Sequence, residues 1–216
     1  AYYMRRLDNN YEKVIDRENL ALAFSKVCKG KRFRKDVKSF SLNLEENLNL
    51  LQFQLESGSF RFGEYNFFKI YDPKERVIAA APIRDRIVHH ALIQIIGEKI
   101  ERSLIDKSYA CRKGKGQWVA VNEARRLAGK YKWCLKLDIK SFFDSIDHQI
   151  LYRVLVRKIK DKRILLLIKQ LIYGYKTEEG KGLPIGNLTS QYFANLYLDK
   201  FDRWFSQVEY EGKYFS

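Results

Sequence analysis

Three observations predict a helix-rich α+β fold. Apolar residues recur at helical spacing in several separate stretches, two short β-prone runs flank a turn at Pro73-Lys-Glu75, and one further run, 133–139, alternates like a strand. The order is helices, hairpin, helices, strand, helices, with no regular βαβ repeat and no internal repeat.

Each element has its own local cause. Asp16 is placed to cap a helix over 17–28, with Leu20, Ala21, Phe24 and Val27 on one face. The basic run Lys29-Gly-Lys-Arg-Phe-Arg-Lys35 follows. A second helix over 43–57 carries Leu44, Leu48, Leu51 and Leu55 on one side, and Gly58 stands where a left-handed residue closes a helix. Residues 67–72 and 76–81 form the hairpin. A long helix over 84–104 presents Ile87, Val88, Ala91, Leu92, Ile95 and Ile96 as its apolar stripe. The basic turn 109–116 leads into a helix over 117–129 that ends at Gly129. Residues 148–174 give one or two helices, 175–187 a Gly-rich loop, and 188–207 a final helix.

The chain has 216 residues, 46% of them hydrophobic, with 14 Tyr, 14 Phe and 3 Trp, which excludes a disordered chain. Its three cysteines, Cys28, Cys111 and Cys134, are far apart and form no CxxC pair, so neither a disulfide framework nor a zinc site is expected, and a reducing, cytoplasmic setting follows. No apolar run approaches the length of a membrane span, and no secretory signal is visible. Lys plus Arg outnumber Asp plus Glu by 41 to 26, a formal charge of +15. Such a surplus calls for a polyanionic partner: nucleic acid first, an anionic membrane surface second.

Two segments carry the chemistry. In Leu135-Lys-Leu-Asp-Ile-Lys-Ser-Phe-Phe-Asp-Ser-Ile-Asp-His148, Asp138 closes an apolar strand, where a carboxylate is costly to bury without a cation or donors. By itself a strand-end Asp serves equally as a helix cap. In Gly182-Leu-Pro-Ile-Gly-Asn-Leu-Thr-Ser-Gln191, two glycines and Pro184 set a tight turn ahead of a helix start, a shape that lets backbone approach a phosphate or base, or simply caps a helix.

Taken together, the two segments resemble the first and second palm motifs of the reverse transcriptases. Ile185-Gly186 with Ser190-Gln191 resembles the form found in bacterial diversity-generating retroelements, where group II intron enzymes usually carry Gln-Gly and Ser-Pro. Ile83-Arg-Asp-Arg-Ile-Val-His-His-Ala-Leu92 and Ser108-Tyr-Ala-Cys-Arg-Lys-Gly-Lys-Gly116 add to the likeness, which runs in family order from about residue 12 to the end. The alternatives are another bacterial reverse transcriptase (intron, retron or phage-defence type) and a basic nucleic-acid-binding module without chemistry.

The resemblance implies a right-hand polymerase, with fingers over 1–130 and part of a palm over 131–216. It makes Asp138 the catalytic metal ligand, helped by the Ile139 carbonyl, with two Mg²⁺ ions (or Mn²⁺ in their place) in the complete enzyme. Lys69 and Arg76 correspond to the fingers pair that grips the triphosphate, the bland alternative being two solvated charges. Arg84 also falls to the nucleotide, and Phe143 to sugar discrimination, although one of Phe142 and Phe143 is expected in the core. Ile185 and Gly186 face the incoming base and sugar. Arg86, Arg112, Lys113, Gln191 and Asn195 fall to template and primer, while His89 and His90 read as packing residues. The implied partners are a template RNA, a DNA primer, deoxynucleoside triphosphates and a small basic accessory variability protein, in the cytoplasm of a bacterium or from a phage. The family's third palm motif, Tyr-x-Asp-Asp, is expected just after Tyr214-Phe-Ser216, so the sequence reads as part of a longer enzyme that does not polymerise alone.

Overall fold

The structure is a computed structural model that describes residues 7–71 and 74–210, with side chains as far as 207. Pro73 of the expected turn, and Tyr214-Phe-Ser216, lie outside the described residues. Ten helices are present among them: α1 Tyr11–Ile15, α2 Arg17–Cys28, α3 Lys35–Leu42, α4 Leu44–Glu56, α5 Ile83–Ser103, α6 Gln117–Ala128, α7 Phe142–Ser145, α8 His148–Val156, α9 Lys162–Tyr173 and α10 Leu188–Tyr210. Strands β1 Asn66–Tyr71 and β2 Glu75–Ala80 pair antiparallel, with Asn66 opposite Ala80 and Tyr71 opposite Glu75.

Helix α5 is the centre of the core. Its apolar stripe (Ile87, Val88, Ala91, Leu92, Ile96) is fully buried and packs against α2 on one side and α10 on the other. A side chain at Gly97 would crowd the Tyr192 ring of α10, so this glycine lets the two helices close together. Asp16 caps α2 as expected, its carboxylate accepting from the amides of Glu18 and Asn19. Gly58 follows α4 in the left-handed conformation, at φ 72°. Asp161 has a wider role: its carboxylate accepts from the amides of Asn10 and Tyr11 at the start of α1 and from those of Arg163 and Ile164 at the start of α9. One buried carboxylate therefore serves two helix N-termini.

The expected strand over 133–139 is not formed. Trp133, Leu135, Leu137 and Ile139 are all exposed, Trp133 to 91%. Among the described residues no segment pairs with this run, and an extended chain is a strand only when a neighbour takes its amides and carbonyls. Helix α6 before it likewise buries no residue.

Candidate active site

A cleft of about 660 Å³ opens between the hairpin and the loop that follows α9. Glu75, Arg76 and Val77 form one wall, Tyr175, Thr177, Glu178 and Lys181 the other, with Ser141, Asp144, Ser145 and Ile185 completing it. Three stretches far apart in sequence thus meet in one place.

Loop 175–187 is fastened to the α7–α8 region by five bonds. Leu183 N donates to Phe143 O (2.8 Å), Gly182 N to Ile146 O (2.9 Å) and His148 N to Gly180 O (2.9 Å). The His148 ring bonds Gly182 O at 2.8 Å, and Thr177 Oγ1 donates to Asp144 O at 2.8 Å. Gly182 is required here: at φ 111° a Cβ would lie 2.7 Å from Thr177 Oγ1. On the hairpin side, Ala79 N donates to Ile185 O at 3.0 Å, so the 184–186 turn lies along β2. Gly186 lets it lie there, since a Cβ would stand 2.9 Å from Ile78 Cγ2. Tyr65 reaches across, its hydroxyl accepting from Asn187 Nδ2 at 3.2 Å. Burial pushes the Tyr65 hydroxyl up to about 12, so it stays protonated.

The expected site residues separate into those the cleft gathers and those held elsewhere. Arg76 and Ile185 line it. Lys69 is not among its lining residues; the register sets it opposite Val77 and Arg76 opposite Ile70, so the two cations leave opposite faces of the ribbon. Lys69 pairs with Glu75 at 2.6 Å instead. Phe143 is half-buried against Phe142 and fixes the loop through its carbonyl; its ring is not among the lining groups.

Arg84 stacks over the Phe60 ring at 4.8 Å and donates to Gln54 Oε1 and Arg61 O. Beside it, Asp85 is buried and accepts from Gly63 N at 2.7 Å; burial raises its pKa, and the Gly63 amide and Arg84 oppose that rise. Arg86 pairs with Asp36. Arg112 is drawn into the structure, bonded to Glu101 and to the carbonyls of Ile105 and Ser108, with 8% of its side chain exposed. A guanidinium spent this way holds the turn after α5 rather than facing outward. Asn195 donates to Ala110 O at 2.7 Å, in support of the same turn. Gln191 is half-buried on α10, and Lys113 is exposed. His89 is buried against Phe62 and His90 half-buried; burial lowers their pKa values to about 3 and about 4, as befits neutral packing residues.

Asp138 is exposed rather than buried, with no ion pair or hydrogen bond among the described residues. Its carboxylate and the adjacent Ile139 carbonyl are hard oxygen donors of the kind Mg²⁺ takes. They fit such an ion in kind but not in number, since no group of three or more side-chain ligands is present among the described residues.

Residues 71–215, more than half of the chain, match the family model described as "Reverse transcriptase (RNA-dependent DNA polymerase)". The chain belongs to the reverse transcriptase family. Among its relatives, the putative COX1/OXI3 intron 1 protein of Saccharomyces cerevisiae is 30% identical over 166 residues, 73% of this chain and 20% of that protein. The group II intron-encoded protein LtrA of Lactococcus lactis is 28% identical, covering 63% of this chain and 24% of its own length. Protein YkfC of Escherichia coli is 25% identical, with 79% and 48% covered. The chain therefore spans less than half of each of these relatives. In fold it is similar to a chain of the partial Cas6-RT-Cas1–Cas2 complex, with a TM-score of 0.59 at 20% identity, over 91% of this chain and 35% of that one. That neighbour supports the fold of this reverse transcriptase segment. No helix among the described residues is long and apolar enough to cross a membrane.

Lys181, Tyr175, Thr177 and Asp144 were missed as cleft residues. The one available signal was Gly180-Lys-Gly182, a cation held between two glycines in a loop already marked as tight.

Proposed function

We propose that the chain is the fingers (1–130) and part of the palm (131–216) of an RNA-directed DNA polymerase, acting on a template RNA, a DNA primer and deoxynucleoside triphosphates. One observation carries this reading. Arg76 of the hairpin, Ser141 and Asp144 just beyond Asp138, and Ile185 of the glycine turn all line one cleft. Arg76 faces this space without a carboxylate partner among the described residues and can take phosphate oxygens bidentately. Ile185 offers an apolar surface to a base or sugar. Asp138 and the Ile139 carbonyl would hold Mg²⁺, or Mn²⁺, which when bound supplies charge stabilisation at the attacking and leaving oxygens. Phe143, adjacent in sequence to Asp144 of the cleft, is assigned to sugar choice, the bulk of its ring excluding a ribose 2′-OH. The basic surplus suits a hybrid duplex recognised through its backbone, with affinity falling at a log–log salt slope of about −0.9 per neutralised phosphate, as on duplex DNA. The test is metal-dependent primer extension on an RNA template by the whole protein, abolished by Asp138→Asn; extension that survives this substitution refutes the reading.

The finer assignment is to the diversity-generating type, with a small basic accessory protein as partner and a cytoplasmic site of action. Ile185-Gly186 and Ser190-Gln191 support it, Ile185 because an aliphatic side chain in the cleft contributes no hydrogen bond to base selection. The intron-encoded relatives favour a second reading, an intron-type enzyme. A template-repeat and variable-repeat pair beside the gene, with misincorporation opposite template adenines, decides for the first; their absence decides for the second.

A further inference from the structure

A chain of three phosphates is best held by cations on more than one side, and the hairpin supplies the cleft from one side alone. Lys69, the other cation of the ribbon, faces away from Arg76 and does not line the cleft. The second cation of the cleft is Lys181, on the opposite wall.

We propose that Lys181 is a triphosphate-binding residue, which grips the incoming nucleotide's phosphates from the wall facing Arg76. This rests on the reading of the cleft as a nucleotide site. The platform under Lys181 is rigid. Lys181 N donates to Glu178 O (3.1 Å) and Lys181 O accepts from Thr177 N (3.0 Å), while the flanking Gly180 and Gly182 are bonded to the α7–α8 region. An ammonium on a fixed stem loses less freedom when it binds than one on a mobile loop. At rest Lys181 pairs with Glu178 at 3.3 Å, and both side chains are largely exposed (46% and 73%), so the pair is weak and readily exchanged for a polyanion. Glu178 then acts as a placeholder that competes with the phosphates for the ammonium.

The test is equilibrium binding of three probes to the chain: dATP with Mg²⁺, inorganic tripolyphosphate, and deoxyadenosine. Lys181→Ala is expected to weaken dATP and tripolyphosphate by about tenfold, the worth of one charge-assisted contact, and to leave deoxyadenosine unchanged. Lys181→Arg retains most of the affinity. Glu178→Gln tightens both phosphate probes. The proposal is overturned if Lys181→Ala binds tripolyphosphate like the wild type, if it loses deoxyadenosine equally, or if Glu178→Gln weakens binding as Lys181→Ala does, since the ion pair would then merely brace the loop. Should Lys181→Ala fail to fold, Glu178→Gln decides: a tighter tripolyphosphate complex supports the proposal, and an unchanged or weaker one overturns it. Wild-type chain that binds none of the probes removes the nucleotide reading itself, whereas binding that ignores residue 181 removes the lysine alone.

Discussion

The two palm-motif segments, similar in chemical promise, are treated in opposite ways by the fold. The stretch around Asp138 is exposed and unpaired among the described residues, with Trp133, Leu135, Leu137 and Ile139 all in water. The stretch around Ile185 is held by bonds to Ala79, Phe143 and Ile146, and leads into buried Asn187, Thr189 and Ser190. The difference lies in where their partners are. The glycine turn finds its acceptors within the described residues, in β2 and the α7–α8 region. The Asp138 run needs strand neighbours that those residues do not supply. A chemically important segment is thus only as ordered as the backbone that answers its hydrogen bonds.

This contrast can be broken or sharpened by substitution. The largest effect is expected from Asp138→Asn in the whole protein: primer extension falls by about a thousandfold or more if the carboxylate is a metal ligand, while the melting temperature of the chain stays unchanged because Asp138 is exposed and has no hydrogen bond or ion pair among the described residues. A drop in stability instead would show that the segment is packed. Gly182→Ala should do the reverse, costing about 2–4 kcal/mol of stability through the left-handed backbone and the contact with Thr177, read from denaturant unfolding. Asp161→Ala should cost about 2 kcal/mol, since two helices lose their cap together.

A smaller, graded effect is expected from pH. His89 and His90 have folded pKa values of about 3 and about 4, below the ordinary 6.5. The unfolded chain therefore binds more protons than the folded one in that interval, and stability is full above pH 6.5 and lost as pH falls toward 4. Asp85, whose pKa is raised, works in the opposite sense, favouring the fold where it is protonated, so His89→Leu should flatten the acid side of the profile measured by thermal melting. The smallest effect belongs to Trp133→Ser, within about 0.5 kcal/mol in this chain, because the ring is already in water.

Much of the scaffold was legible in the sequence. Asp16 announced α2, the stripe from Ile87 to Ile96 announced α5, and the hairpin was displaced by one residue at each strand. Helices α1, α3 and α7 escaped because four to eight residues are too few to show a helical period. The site was legible in its residues but not in its directions. The spacing of Lys69 and Arg76 gave their distance along the chain, whereas their faces depend on a register that only pairing settles. Arg112 and Asn195 looked outward-facing in sequence; a neighbouring turn with unsatisfied carbonyls claimed both.

The carboxylate of Asp161 has one more consequence, for the order of assembly. By joining residues 10–11 to residues 161–164 it closes a ring of about 150 residues, whose entropic cost grows with the logarithm of its length. Such a clasp forms late, once the intervening helices have already shortened the path. Until Asp161 docks, the amides of Asn10 and Tyr11 at the start of α1 lack this acceptor. The completion of α1 is thereby tied to a segment made about 150 residues later, which makes its cap one of the least local contacts of the fold.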